Sequence, residues 1–167
     1  MRRISEELYI GTSGWTYDDW RGRFYPKEVP KKSWLAWYSG QFSVTEINGS
    51  FYRTPSVAAV DAWRESTPRH FRFAWKASQF ITHWKRLRDP ESSIALLKSR
   101  LDVLGAKCGP VLFQLPGRFH VDRDRLAAFL AKLPTSYRYV FEFRHPSWHD
   151  EEIFALLSRQ GAAYCVM

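Results

Sequence analysis

The feature that most constrains this chain is a change of apolar period that repeats along its length. Short runs that alternate every second residue, or are continuously apolar, give way to runs spaced three and four apart. These are the marks of strands and amphipathic helices. Leu8–Gly11, Phe42–Ile47, His70–Lys76, Pro110–Leu115, Tyr137–Phe143 and Gly161–Met167 read as six strands. Ser33 reads as the cap of a helix through Trp34, Leu35, Trp37 and Tyr38. Pro55-Ser56 opens a helix with Val57, Val60, Ala62 and Trp63, and Asp89-Pro90-Glu91 opens one with Ile94, Leu97, Leu101 and Leu104. Asp122 or Asp124 starts a helix with Leu126, Phe129, Leu130 and Leu133. Ser147–Asp150 reads as a capping box ahead of Ile153, Phe154, Leu156 and Leu157. Regular alternation of this kind predicts an α/β protein with a parallel sheet. The nearly continuous apolar run Pro110–Leu115 predicts a strand covered on both faces. An open doubly wound sheet and a (β/α)₈ barrel both satisfy the order, and length alone favours the open sheet.

The 167 residues fit a single domain, and 45% hydrophobic with 25% charged residues excludes a disordered chain. No apolar run approaches the roughly 18 residues of a membrane span. Met1–Glu7 is charged and lacks the apolar stretch of a secretory signal. Cys108 and Cys165 form no CxxC motif, so neither a disulfide framework nor a cysteine metal site is expected, and a reducing cytoplasm is the expected compartment. The net charge of +8 favours anionic partners. Aromatic residues make up 17%, with eight tryptophans, and these serve as core filler or as stacking surfaces for bases and sugars. Gly11-Thr12-Ser13-Gly14 lacks both the GxGxxG spacing and the lysine of a phosphate-binding loop.

Several local strings go further than the periods. Gly11-Thr12-Ser13-Gly14-Trp15-x-Tyr17-x-x-Trp20-x-Gly22-x-Phe24-Tyr25-Pro26 is dense in glycine and aromatics. Glu46-Ile47-Asn48-x-x-Phe51-Tyr52-Arg53-x-Pro55, Phe71-x-Phe73-Ala74-x-Lys76 and Ile81-Thr82-His83 follow. Then come Gly109-Pro110-Val111-Leu112-Phe113-Gln114-Leu115-Pro116 and Glu142-Phe143-Arg144-His145-x-Ser147-Trp148. Together, from about Leu8 onward, they resemble the YecE-like proteins, domain-of-unknown-function family 72. The resemblance implies a TIM-barrel-like fold and no established activity. It departs locally at Gly49-Ser50, where the family usually has a threonine before the Phe, and at Gly117, where a second proline commonly follows Pro116. A complete barrel usually needs about 250 residues. The expectation is therefore an incomplete TIM-barrel-like (β/α) domain over residues 1–167, about six parallel strands with intervening helices, C-terminally truncated. Open edge strands would then favour self-association.

Barrel active sites sit at the C-terminal ends of the strands. Strand one delivers Thr12, Ser13 and Trp15 there; strand two, Glu46 and Asn48, with Tyr52 and Arg53 beyond; strand three, Lys76, with His83 in the next loop. Strand four delivers Gln114, and strand five Glu142, Arg144 and His145. Glu46, Glu142, Lys76 and His145 are the candidate catalytic residues. The glutamates suit acid/base or metal-assisted chemistry, or pair with neighbouring cations. Lys76 suits phosphate binding, a Schiff base, or a salt bridge to either glutamate. Trp15, Asn48, Tyr52, Arg53, His83, Gln114 and Arg144 are the candidate ligand-binding residues, with Arg53, Arg118 and Arg144 as anion clamps. No metal or cofactor is specified by these residues. His70 and His149 read as surface or capping groups and His120 as a loop residue. Trp34, Trp37 and Trp63 read as core, whereas Trp15, Trp20, Trp84 and Trp148 lie in loops or near strand ends. Trp15 is the stacking platform, helped by Tyr17, Tyr25 and Tyr52.

The expected function is a barrel-mouth site for an anionic ligand carrying phosphate or sugar. The alternative is a nucleic-acid-binding or nuclease-like barrel using residues 69–88, where Arg69, Arg72, Lys76, Lys85, Arg86 and Arg88 occur with aromatics between them. The third reading is an inactive fragment. No membrane partner is expected.

Overall fold

The structure is a computed structural model and describes residues 8–166. The charged stretch Met1–Glu7 and Met167 of the last strand candidate lie outside the described residues. Six strands form one sheet: β1 (Gly11–Thr12), β2 (Val44–Ile47), β3 (Arg72–Lys76), β4 (Cys108–Leu115), β5 (Tyr139–Phe143) and β6 (Ala163–Tyr164). Five helices connect them: α1 (Trp34–Ser39), α2 (Val57–Glu65), α3 (Glu91–Leu104), α4 (Arg123–Leu130) and α5 (Glu151–Arg159). Every pairing is parallel and the strand order is the sequence order, β1 to β6. A doubly wound sheet reverses its strand order partway to place helices on both faces. Sequential order with crossovers of one hand places all helices on one face, as in a (β/α) barrel. The doubly wound alternative is therefore discarded.

The two faces of the sheet differ in chemistry. Ile47, Phe73, Trp75, Val111, Phe113, Leu115, Phe141 and Phe143 alternate onto the face beneath the helices and are fully buried. Their in-register neighbours on the opposite face include Val44, Glu46, Ala74, Lys76, Leu112 and Val140, all half-buried. Strand β4 is thus sealed on the helix side and only partly covered on the other, where Leu112 is half-buried and Gln114 is buried.

The aromatic content goes mostly into this packing. Phe113 stacks on Phe141 at 5.2 Å and meets Phe129 edge-on at 5.1 Å. A second cluster forms where residues 20–25 fold over α1, with Tyr25 stacked on Trp34 at 4.3 Å. Tyr25 is completely buried and donates its hydroxyl to the Trp15 carbonyl at 2.5 Å, so it is a core residue rather than a helper at the mouth.

Local chemistry explains the element ends. Ser56 accepts from the Ala59 N–H to cap α2, and Asp122 accepts from the Arg125 N–H to cap α4. Ser33 makes no capping bond, because a 3₁₀ turn over Lys31–Ser33 leads into α1. Asp150, not Ser147, caps α5 by accepting from Glu152 N–H. Leu8–Ile10 lie outside the β1 ladder and are largely exposed. Trp37 is 37% exposed on the short helix α1, whereas Trp148 is completely buried.

Two glycines hold the strands together. A Cβ on Gly11 would stand 1.9 Å from the Val44 carbonyl oxygen, so β1 reaches β2 only because this residue has no side chain. Gly11→Ala is expected to push β1 away and lower stability by about 2–3 kcal/mol, read from urea denaturation, because backbone cannot yield as a side chain can. Unchanged stability would contradict this close approach. A Cβ on Gly109 would stand 2.9 Å from the Phe73 carbonyl oxygen. Phe73 pairs with Cys108 but Trp75 pairs with Val111, so Gly109-Pro110 inserts one extra residue into β4. Proline suits such a bulge, since it has no N–H to give the ladder.

Candidate functional site

At the C-terminal ends of the strands, the face away from the helices carries Glu46, Lys76, Gln114 and Glu142. Gln114 and Glu142 are in-register neighbours on β4 and β5. The Gln114 side-chain amide donates to both carboxylate oxygens of Glu142, at 2.8 Å each. Arg144 Nε donates to Glu142 Oε1 at 2.8 Å. Glu142 is only 5% exposed. A buried carboxylate needs such partners, and these commit both of its oxygens to holding Gln114 and Arg144.

Glu46 is less committed. It accepts one hydrogen bond, from Ser13 Oγ at 2.6 Å, and forms no ion pair among the described residues. Lys76 also forms no ion pair among the described residues, so the expected salt bridge to either glutamate is absent there. Its Nζ lies 5.3 Å from the centre of the Phe51 ring, and His83 meets the same ring edge-on at 5.0 Å. Phe51 thus places Lys76 and His83 side by side. Burial, then the Arg144 and Lys76 cations, hold His83 below its ordinary value of 6.5. The Cys165 thiol, just after β6, is pushed up by burial and then by Glu142 and Glu46.

The remaining candidates lie elsewhere. Trp15, Asn48 and Arg53 line a separate cleft of about 450 Å³, together with Ser13, Ile47 and Trp63. Ile47 belongs to the helix-covered face, so this cleft sits toward α2. Trp15 packs edge-on against Trp63 at 5.3 Å. It is not a platform over the strand ends on the other face. Tyr52 is 71% exposed and contacts Phe51 edge-on. His145 faces a different set of groups: its ring lies 3.9 Å from that of His120, and its Nδ1 accepts from the Ser147 N–H at 3.1 Å. The four candidate catalytic residues therefore divide into Glu46, Lys76 and Glu142 at the mouth, and His145 in a loop contact.

The basic stretch 69–88 is split by β3. Arg72 donates to the carbonyls of residues 69, 70 and 71 before the strand, and Lys85, Arg86 and Arg88 follow it. Leu87 between them is buried. Among the described residues no three His, Cys, Asp or Glu side chains are grouped as a metal ion needs. No helix among them is long and apolar enough to cross a membrane.

Ser13, Ser50 and Phe51 are the contributors at the mouth that residue type alone did not single out as binding groups. Ser50 donates its hydroxyl to the Lys76 carbonyl at 2.6 Å and also to the Ile47 carbonyl, joining the ends of β2 and β3. The signal for Phe51 was its place in the dense string Glu46 to Pro55.

Comparison with known proteins gives a consistent family. The model of the family described as "Protein of unknown function DUF72" matches residues 9–167. UPF0759 protein YecE of Escherichia coli K12 is 30% identical, over 84% of this chain and 50% of its own length. UPF0759 protein YunF of Bacillus subtilis 168 is 26% identical, over 95% of this chain and 60% of its own. The chain spans about half the length of the first of these relatives. The crystal structure of a DUF72 family protein from Thermotoga maritima superposes with a TM-score of 0.80 at 28% identity, covering 93% of this chain and 63% of that one. One from Enterococcus faecalis superposes at 0.70 and 19% identity, covering 93% and 59%.

Proposed function

The chain belongs to the DUF72 family, whose function is unknown, and from that premise we propose that it binds a phosphate-bearing ligand at the mouth formed by the strand ends. The observation that carries the reading is the pairing of Lys76 and His83 on the Phe51 ring, beside Arg144. Lys76 lacks an acidic partner among the described residues, and an anion is what a half-buried, unneutralised cation attracts. Arg144, oriented by Glu142, adds a planar donor fork suited to phosphate.

The division of labour between the carboxylates follows from their partners. Glu142 is the positioning group, since its oxygens are occupied by Gln114 and Arg144. Glu46 is the proton-transferring group, with one exposed hydroxyl as its partner. His83, held below its ordinary value, is neutral at pH 7 and able to accept a proton there. The reading is acid/base chemistry next to a bound phosphate.

Calorimetric titration with inorganic phosphate tests the binding step. Lys76→Ala is expected to weaken it by roughly tenfold, the loss of one charge-assisted contact. Lys76 has no ion pair to break, so its removal leaves the fold intact. Equal affinity in wild type and variant would remove the reading. Single-stranded DNA that displaces phosphate, with affinity falling steeply in salt, would favour the nucleic-acid alternative instead.

A further inference from the structure

The cleft toward α2 shares Ser13 and Ser50 with the strand-end mouth, and the rest of its lining has a different chemistry. Trp15 and Trp63 stand at 82° to one another, forming an aromatic corner rather than a parallel slot. Tyr17 closes one side. Its hydroxyl donates to the Ser13 carbonyl, and a Cβ on Gly14, at φ +97°, would stand 3.1 Å from that hydroxyl. Two polar side chains in the lining are uncommitted. Neither the Asn48 amide nor the Arg53 guanidinium has a hydrogen-bond or ion-pair partner among the described residues. Arg53 is held at the rim by its own backbone, whose N–H donates to the Gly49 carbonyl at 3.2 Å.

We propose that this cleft is a second binding site, for a monosaccharide-sized ring that bears one acidic group. Its volume of about 450 Å³ lies in the range of small-ligand pockets. Perpendicular indoles offer one ring face and one ring edge, which suits a puckered ring with an apolar CH face. A flat base would gain most from two parallel faces. The Asn48 amide carries both a donor and an acceptor for vicinal hydroxyls, and Arg53 supplies a single anion fork. The site stands independently of the phosphate reading at the mouth, because none of the groups that carry that reading lines the cleft.

Calorimetric titration of the full chain with glucuronate, glucose and inorganic phosphate tests it. Glucuronate is expected to bind saturably, glucose at least about tenfold more weakly, and excess phosphate to leave glucuronate bound. Arg53→Ala and Asn48→Ala should each weaken glucuronate by roughly tenfold, and neither side chain has a structural partner whose loss would unfold the protein. Indole fluorescence should change on glucuronate addition, through Trp15 and Trp63. Absence of saturable glucuronate binding, or binding indifferent to both variants, overturns the proposal. Displacement of glucuronate by phosphate also overturns it, since the ligand then sits at the mouth. Failure of phosphate binding with glucuronate retained would remove the mouth reading alone.

Discussion

Stability is expected to fall as pH climbs from about 9 toward 12. The cause is a set of buried phenols and thiols that hold their protons more tightly in the folded chain than in the unfolded one. Burial pushes the Tyr25 phenol up to about 12, with Tyr38 adding to the shift, and burial followed by Cys108 pushes Tyr139 up to about 12. Burial and then Asp102 push the Cys108 thiol up to about 11. The unfolded chain loses these protons at about 9 for the thiol and 10 for the phenols. Stability from a raised acid is therefore complete below the unfolded value and lost as pH climbs to the folded one. Two pH units on a buried phenol correspond to about 3 kcal/mol for each tyrosine, large beside a total of about 5–15 kcal/mol. Lys107 acts in the opposite sense. Burial holds its ammonium below 10.5, so its contribution rises over part of the same range, as one group against several. Urea denaturation at pH 7, 9 and 11 checks the slope. Tyr139→Phe should flatten it, after an initial loss of about 1 kcal/mol for the hydrogen bond to the Pro134 carbonyl. A stability independent of pH up to 11 would refute this account.

Trp148→Ala is expected to cost about 4 kcal/mol. The indole is fully buried and lies parallel to Phe143 at 4.9 Å, with Phe119 edge-on at 5.3 Å. Its Nε1–H donates to the Phe119 carbonyl at 2.6 Å, a group left without that partner in the variant. The damage spreads, because Phe119 also lies under the Arg125 and Arg86 guanidiniums at 5.4 and 6.0 Å. Trp148→Phe should recover about half of the loss by restoring the stack without the donor. Urea midpoints of the two variants separate the packing contribution from the hydrogen bond.

The contrast between Trp148 and Trp37 shows how far periodicity carries. Helical spacing placed Trp37 with Trp34 and Leu35, but α1 is only six residues long and turns that position outward. Trp148 has no periodic partner; it is buried because the 3₁₀ turn Pro146–Trp148 folds back over β5. The strands and helices themselves were legible, since each strand alternates or runs apolar and each helix has its own spacing. The sheet ends were overextended because Leu8–Ile10 and Phe42–Ser43 are apolar or β-prone but lie outside strands β1 and β2. At the mouth, strand-end position brought Glu46, Lys76, Gln114 and Glu142 together correctly, because residues two apart share a face. The separation of Trp15, Asn48 and Arg53 into another cleft was not legible. Which side of a strand end a loop folds toward depends on α2, far along the chain.

The bulge at Gly109-Pro110 decides which way everything that follows it in β4 faces. If every residue from Cys108 on alternated strictly, with no bulge to absorb the extra one, Cys108 would share its side with Leu112 and Gln114. Gln114 would then enter the aromatic layer, and Phe113 would stand between Glu142 and water. The bulge absorbs the extra residue, so that Phe113 meets Phe141 and Gln114 meets Glu142. Deleting Pro110 would therefore remove the bulge and leave the two faces of the strand as they are, with Phe113 still against Phe141 and Gln114 still against Glu142. The face that Gln114 and its neighbours present is thus set by a bulge several residues before them.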